Sequence, residues 1–429
     1  MSKIIAIIGS GFCGKITFAN LVDVLDKKNK IIVFDAAKGN FSSAAFSPFS
    51  PHYILNIPTK KMSAFSNDEN SFCNFLAKNY PKIWQETGEF GFAPRYIYGQ
   101  YVENIFSQAK EKAKNKGLEY KLINDEIVAI ENNGLEFNLT TRSNVKFDAT
   151  EIILATSFKQ SKLPVNIESK NIIPALWSAS AAEFHKKNFT DETICLIGAG
   201  LTTIDVIVGL KKKDFKGKII VISRRGNLPK RHVDNLAPKI DLIEISDAKK
   251  GILFLCLKIR HFLRENPQFD LRHVINSIRL TTSELWHNLD EKNKKIFLRL
   301  MPYFNIFRHR APNISMDIID KMLSSKQLEV KKGGVKFCCE VENKILIKTK
   351  FEELKADYLV NCLGFEFNAE KYQLLNQMIK YDLLKKDLMM VRSNNQRIHL
   401  LGGLNIGKDL EITSVPDLRV NIEEVVNKI

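Results

Sequence analysis

The sequence has no long apolar run. No stretch of about 18 hydrophobic residues occurs, which excludes a helix that spans a bilayer. It is also short of cysteine chemistry. Its seven cysteines, Cys13, Cys73, Cys195, Cys256, Cys338, Cys339 and Cys362, are scattered, odd in number and form no C-x-x-C pair. That pattern argues against a disulfide scaffold, a zinc site and a flavin disulfide reductase, which needs two thiols a few residues apart, and it fits a reducing compartment. The histidines lack metal spacings such as H-E-x-x-H, so no metal is expected. The amino terminus lacks a signal-peptide pattern: Met1-Ser2-Lys3 runs directly into Ile4–Ile8, which ends in Gly9-Ser10-Gly11 and not in a small-residue cleavage site. A cytoplasmic location is the expectation. Acidic residues are outnumbered, 48 against 64 Lys and Arg, for a net charge of +16. Such a balance suits nucleic acid or a membrane surface. The lysines are dispersed, however, and no basic stripe interleaves with aromatics, so a solvated surface is the preferred reading and neither partner is expected.

What is present is ordinary globular composition, 45% hydrophobic and 26% charged, over 429 residues, enough for two or three domains. Lys3–Ile8 reads as a buried parallel strand, Gly14–Leu25 as a helix and Ile31–Asp35 as the next strand, which makes a βαβ unit. Asn70–Tyr80 and Gly99–Asn115 read as helices, the second stopped by Gly117. Leu118–Phe137 and Val145–Ala155 are strand regions. A second unit follows: strand Thr193–Ile197, helix Thr202–Lys211, strand Lys218–Ser223. Helical periodicity then takes over in Gly251–Arg264, Leu271–Leu289 and Asp290–Leu300. Leu328–Phe351 and Tyr358–Cys362 return to strands, His399–Leu401 is a short strand, and Val415–Lys428 is a closing helix. The fold class is α/β, with two Rossmann-like dinucleotide-binding domains and a helical insertion. The boundaries are 1–157 and 355–429 for the first domain, 158–234 and 326–354 for the second, and 235–325 for the insertion.

Each unit carries a glycine-rich turn between its first strand and helix. The first is Gly9-Ser10-Gly11-Phe12-Cys13-Gly14; the second is Gly198-Ala199-Gly200-Leu201-Thr202-Thr203, with Thr203 in place of the third glycine. The first glycine permits the bend, and the second lets a pyrophosphate approach the helix amino terminus. Asp35 lies 21 residues beyond Gly14, and Arg224 lies 21 beyond Thr203. A carboxylate there accepts hydrogen bonds from ribose hydroxyls, whereas the pair Arg224-Arg225 binds a 2′-phosphate. The spacing therefore assigns FAD to the first turn and NADPH, rather than NADH, to the second.

Longer motifs carry a family resemblance. Pro51-His52-Tyr53-Ile54-Leu55-Asn56-Ile57-Pro58, Lys61-Met62-Ser63-Ala64-Phe65 and Phe92-Ala93-Pro94-Arg95-Tyr96-Ile97-Tyr98-Gly99-Gln100-Tyr101 stand in the first third. Ile222-Ser223-Arg224-Arg225-Gly226-Asn227-Leu228-Pro229-Lys230-Arg231-His232, Arg308-His309-Arg310, Asn361-Cys362-Leu363-Gly364, Leu401-Gly402-Gly403 and Glu411-Ile412-Thr413-Ser414-Val415-Pro416 follow. Together they resemble a bacterial family of FAD/NAD(P)-binding proteins that includes a FAD-dependent urate hydroxylase and an aspartate N-hydroxylase, over nearly the whole chain. The chain departs from the family pattern at Ser43, Ser47 and Ser157, where glycine is usual, at Lys61 for arginine and at Tyr53 for histidine. The three serines lie along the expected FAD path.

The resemblance implies a monooxygenase. NADPH would reduce FAD, and O2 would then yield a C4a-(hydro)peroxyflavin that hydroxylates nitrogen or carbon of a small polar substrate. It implies cofactor contacts at Met62, Thr156, Gly364, Gly402, Gly403 and Thr413, beside those of the two turns. Asn56 is a candidate for the flavin edge or is a turn residue. Arg95 holds a phosphate or the nicotinamide cofactor, or is a surface cation. Arg308 and Arg310 are candidates for a substrate carboxylate or form a solvated helix end. Ser414 and Asp417 have the spacing of a capping box. A flavin reductase or dehydrogenase without oxygenation, and a non-catalytic nucleotide-binding protein, are the competing expectations.

Overall fold

The computed structural model describes residues 2–36, 46, 50–177, 181–233, 240–387, 390–405 and 414–429. The chain divides into two units, one of Met1–Pro48, Pro58–Lys159 and Glu366–Ile429, the other of Phe49–Ile57 and Gln160–Phe365.

The first unit is built on a five-stranded parallel sheet in the order Ile398–Leu400, Glu151–Leu154, Ile4–Ile8, Lys30–Phe34, Glu119–Ile123. The second has a sheet of the same kind: Leu328–Lys332, Lys218–Ser223, Thr193–Ile197, Tyr358–Asn361, Ile172–Ile173. Both faces of such a sheet are covered at its centre, so the inner strands Ile4–Ile8, Lys30–Phe34, Thr193–Ile197 and Lys218–Ser223 are near-continuous apolar runs, whereas the edge strands Glu119–Ile123 and Leu328–Lys332 carry charged residues. In the second unit alternate residues feed separate cores, Ile194 and Leu196 on one face, Cys195 and Ile197 on the other. Each unit also holds a three-stranded antiparallel meander, Ile127–Asn132, Phe137–Thr141 and Lys146–Ala149 in the first, Val335–Val341, Lys344–Thr349 and Glu353–Ala356 in the second. In both, the first strand has its successor on one side and the post-meander strand on the other. That reversal opens the crevice at the carboxyl ends of the strands where Rossmann-like sheets bind ligands.

Several expected boundaries move. Tyr358–Asn361 pairs with Thr193–Ile197 and with Ile172–Ile173, so it belongs to the second sheet and not to a first-domain segment beginning at 355. A short apolar run names no partner strand, which is why its sequence did not place it. The helix Asn313–Ser324 packs on Leu201–Lys211 and on the strand Leu328–Lys332, so it is a layer of the second unit and not part of a separate insertion. The helix expected over Leu271–Leu289 breaks into Leu271–Ser277, a 3-10 turn Arg279–Thr281 and Thr282–Asn288. There the Thr281 and Thr282 hydroxyls both donate to the Ile278 carbonyl, at 3.1 and 2.8 Å, where they compete with the backbone ladder. The helix capped by Asp290 continues to Arg308 with Pro302 inside it. No helix among the described residues is long and apolar enough to cross a membrane.

Candidate dinucleotide-binding sites

The first turn is shaped by what a side chain would meet. Gly9 has φ +104°, and a Cβ there would lie 2.7 Å from the Ala155 carbonyl oxygen. Its N–H donates to the Phe34 carbonyl at 2.8 Å, which locks the bend onto the neighbouring strand. A Cβ on Gly14 would collide with the Gly9 carbonyl, so the helix Phe12–Val24 can close on the turn only without one. Gly11 differs: a Cβ there would meet nothing within 4 Å. Gly11 is the N-cap, and no side chain caps the helix. The first amides of an uncapped helix, beside open space, suit an anion.

The second turn repeats this arrangement. Gly198 has φ +113°, and a Cβ there would lie 2.5 Å from the Cys362 carbonyl oxygen. Its N–H donates to the Ile222 carbonyl at 2.9 Å. Gly200, again an uncapped N-cap, opens onto space free of atoms within 4 Å. At the third position, where Gly14 has no side chain, the Thr203 hydroxyl donates to the Gly198 carbonyl at 2.8 Å and fastens the same joint.

Sheet register corrects one expectation. Ile8 pairs with Phe34, and Ile197 pairs with Ile222. The position that matches Asp35 is therefore Ser223, and Arg224 stands one residue beyond it. The connection in the second unit is one residue shorter, which counting from the third glycine does not reveal. The charge contrast survives the shift. Asp35 accepts from the Ser10 hydroxyl. Ser223 instead closes a tight turn, with the Gly226 N–H donating to its Oγ at 3.0 Å and to its carbonyl at 3.2 Å, and Gly226 at φ +67°. That turn presents Arg224, exposed, and Arg225, whose guanidinium carbon lies 4.6 Å from the ring centroid of Tyr303. Arg225 Nε is buried without a hydrogen-bond partner.

Residues 6–159 match the FAD-NAD(P)-binding family model. No curated protein matches the chain by sequence. Solved structures share its fold. The reduced ornithine hydroxylase of Pseudomonas aeruginosa matches with TM-score 0.65 at 13% identity, over 100% of this chain and 98% of that one. The ornithine N-hydroxylase of Kutzneria sp. 744, described with reduced FAD, NADP+ and L-ornithine, matches with TM-score 0.62 at 12% identity, over 100% and 98%. The bacillithiol disulfide reductase of Staphylococcus aureus matches with TM-score 0.56 at 11% identity, again over 100% and 98%.

Within the first unit, which holds the FAD-NAD(P)-binding match, Thr156 follows the carbonyl that backs Gly9, and its N would be 3.1 Å from a Cβ on that glycine. Met62 is buried at the end of a 3-10 turn. Gly402, at φ +65°, faces the Cys13 sulfur, 3.2 Å from where a Cβ would sit, and Gly403 makes only an ordinary contact with Phe158. Arg95 opens the helix Arg95–Lys116 and is half-buried. Ser157 is exposed, and its hydroxyl donates to the Phe158 carbonyl at 3.3 Å. Ser414 is the N-cap of the last helix, yet its hydroxyl donates to the Asp417 carboxylate and makes no cap bond to this helix, so the expected capping box is not formed. Thr413, Ser43 and Ser47 lie outside the described residues.

In the second unit Asn56 sits on the Phe49–Ile57 segment, where its carbonyl accepts from His232 Nε2 at 2.9 Å. Asn56 and Arg95 thus belong to different units. Gly364 is exposed, and its carbonyl accepts from the Ser161 N–H at 2.8 Å. Arg310 is buried with its guanidinium on Asn276, and Arg308 is half-buried. Between them burial, with Arg308 and Arg279 adding to it, pushes His309 down to about 3, so this imidazole is neutral.

Two cations of the first unit went unread in the sequence. Lys15 follows the third glycine, is 1% exposed, and pairs with Glu103. Burial pushes its pKa down, against the pull of Glu103. A lysine within an otherwise apolar helix face was the available signal. Arg419, on the last helix, donates to the Ser63 carbonyl at 3.4 Å, and its Nε is buried without a partner. Nothing in the local pattern marks it.

Proposed function

We propose that this chain is an FAD- and NADPH-dependent oxidoreductase, a flavin monooxygenase that hydroxylates nitrogen or carbon of a small polar substrate with O2 as the second substrate. One observation carries the reading. The same glycine cradle is built twice, each with open space at its second glycine, followed by a carboxylate in one unit and by two arginines in the other. Gly9, Gly11 and Gly14 would hold the FAD pyrophosphate, with Asp35 on its ribose. Gly198, Gly200 and Thr203 would hold that of NADPH, with Arg224 and Arg225 on the 2′-phosphate. Bound there, FAD would accept a hydride from NADPH and pass electrons to O2. The likeness to ornithine N-hydroxylases supports the oxygenating chemistry.

The remaining roles belong to this chain's own side chains. Asn56 would hydrogen-bond at the reacting centre and Arg95 would hold a phosphate, while Met62, Thr156, Gly364, Gly402, Gly403 and Thr413 would line the cofactor paths. Arg308 and Arg310 would orient an acidic group of the substrate through their own positive charge, to which the neutral His309 between them adds nothing. A reductase that hands electrons to another acceptor is favoured by the likeness to a disulfide reductase. The sequence holds no C-x-x-C pair, and its two neighbouring thiols, Cys338 and Cys339, lie on a meander strand of the second unit.

The test uses the full-length protein, FAD and both nicotinamide cofactors. The expected result is a flavin spectrum, bleached by NADPH without O2, with substrate-dependent NADPH oxidation once O2 is admitted. Arg224→Ala should raise the KM for NADPH about tenfold, the worth of one charge-assisted contact, and leave NADH unaffected. A colourless protein that takes up no FAD overturns the proposal. Reduction without any substrate hydroxylation moves it to the reductase reading.

A further inference from the structure

The turn that presents Arg224 and Arg225 does not stand alone. Its neighbour in the sheet is the carboxyl end of the strand Leu328–Lys332, and the register sets Ser223 directly beside Lys332. The Gly333 N–H donates to the Ser223 carbonyl at 2.8 Å, which holds the two strand ends together. Gly226 packs its bare α-carbon on this lysine: a Cβ there would lie 3.0 Å from the Lys332 Cβ and 3.3 Å from its Cα. The close approach requires glycine at 226, and it places the base of the Lys332 side chain against the arginine turn.

The lysines of this strand are used differently. Lys331 is engaged, 2.9 Å from Glu352 and 3.5 Å from Glu329. Successive strand residues point to opposite faces, so Lys332 leaves from the other side. It is exposed, and among the described residues it has no ion pair or hydrogen bond; neither has Arg224. Arg225 is braced on the Tyr303 ring, with its Nε buried and unpartnered. Three cations therefore surround one turn, and no carboxylate of the described residues pairs with any of them. Positive charges without a carboxylate partner, carried on adjoining residues, favour an anion. A dianionic phosphate with three acceptor oxygens matches the number of cations.

We infer that Lys332 is a third specificity-determining residue of the second site, which grips the 2′-phosphate of NADPH together with Arg224 and Arg225. The inference rests on the NADPH reading of that site. Arg225, stacked on Tyr303, is the rigid member; Lys332, on a flexible stem, closes on the phosphate from the adjoining strand. Gly226 is the positioning residue, because any side chain there would push the turn off Lys332.

The experiment measures binding of adenosine 2′,5′-bisphosphate and of 5′-AMP to the full-length protein by calorimetry. Lys332→Gln keeps the stem that packs on Gly226 and removes only the charge. It should weaken the bisphosphate about tenfold and leave 5′-AMP unchanged, Lys332→Glu should weaken the bisphosphate further, and Lys332→Arg should restore it. If Arg224→Ala weakens the bisphosphate and Lys332→Gln does not, the role of Lys332 is overturned while the NADPH reading stands. If the unaltered protein binds both probes equally, the NADPH reading falls and takes this inference with it.

Discussion

At the scale of single residues, the glycines separate into those the fold needs and those a ligand needs. Gly9 is held by its own geometry: φ +104° and a carbonyl 2.7 Å from where a Cβ would sit. Gly9→Ala is therefore expected to cost more than about 1 kcal/mol of stability, from left-handed strain alone. Gly11→Ala meets nothing within 4 Å, so its melting temperature without cofactor should equal that of the unaltered chain. The same methyl group occupies the space through which a pyrophosphate approaches, and FAD affinity should fall about tenfold or more. Thermal melts with and without FAD separate the two variants. Equal loss of apo stability in both would sink the distinction. The glycine pattern was legible because each of these roles restricts the residue type. The one-residue offset between Asp35 and Arg224 was not, since it depends on strand pairing, Ile8 with Phe34 against Ile197 with Ile222. Lys332 was equally hidden, because it reaches the arginine turn only through the sheet.

At the scale of elements, periodicity located nearly every buried strand and missed what local chemistry does to helices. Lys218–Ser223 is found with the expected bounds, whereas the Thr281 and Thr282 hydroxyls break a continuous helical pattern and Pro302 fails to stop one. The helix that contains Pro302 ends beside His309, and its pH behaviour follows from that placement. Burial, Arg308 and Arg279 hold His309 at about 3, below its ordinary 6.5. The unfolded chain thus binds a proton that the folded one refuses once pH falls below 6.5. The associated stability is fully present above that pH and is lost as pH falls toward about 3. His309→Gln should flatten the decline in melting temperature between pH 7 and about 5, a range above the ordinary carboxylate pKa values. A decline of unchanged slope in the variant would show that another group carries it.

At the scale of the whole molecule, the two units repeat one plan: parallel strand, helix, strand, a helical stretch, strand, antiparallel meander, strand. The sequence carries this plan without a period that repeats, because the units share topology and not residues. Even the glycine joint is made by Gly14 in one and by the Thr203 hydroxyl in the other. Domain limits were legible where a glycine turn opens a unit and illegible where the chain returns, as at Tyr358–Asn361, and the Phe49–Ile57 segment gave no sign of belonging to the second unit. If each cradle takes its own dinucleotide, each ligand stabilises the backbone that it touches, since a ligand that binds only the folded state slows local opening. Hydrogen exchange on the full chain should then show FAD protecting amides of residues 9–15 and 35. Adenosine 2′,5′-bisphosphate should instead protect residues 198–204, 223–226 and 332–333. Each ligand alone should leave the other set unchanged in its first minutes of exchange. Protection of residues 9–15 by the bisphosphate, at concentrations that leave 198–204 unprotected, would reverse the assignment, because it would place the arginine-selective ligand at the turn that ends in Asp35.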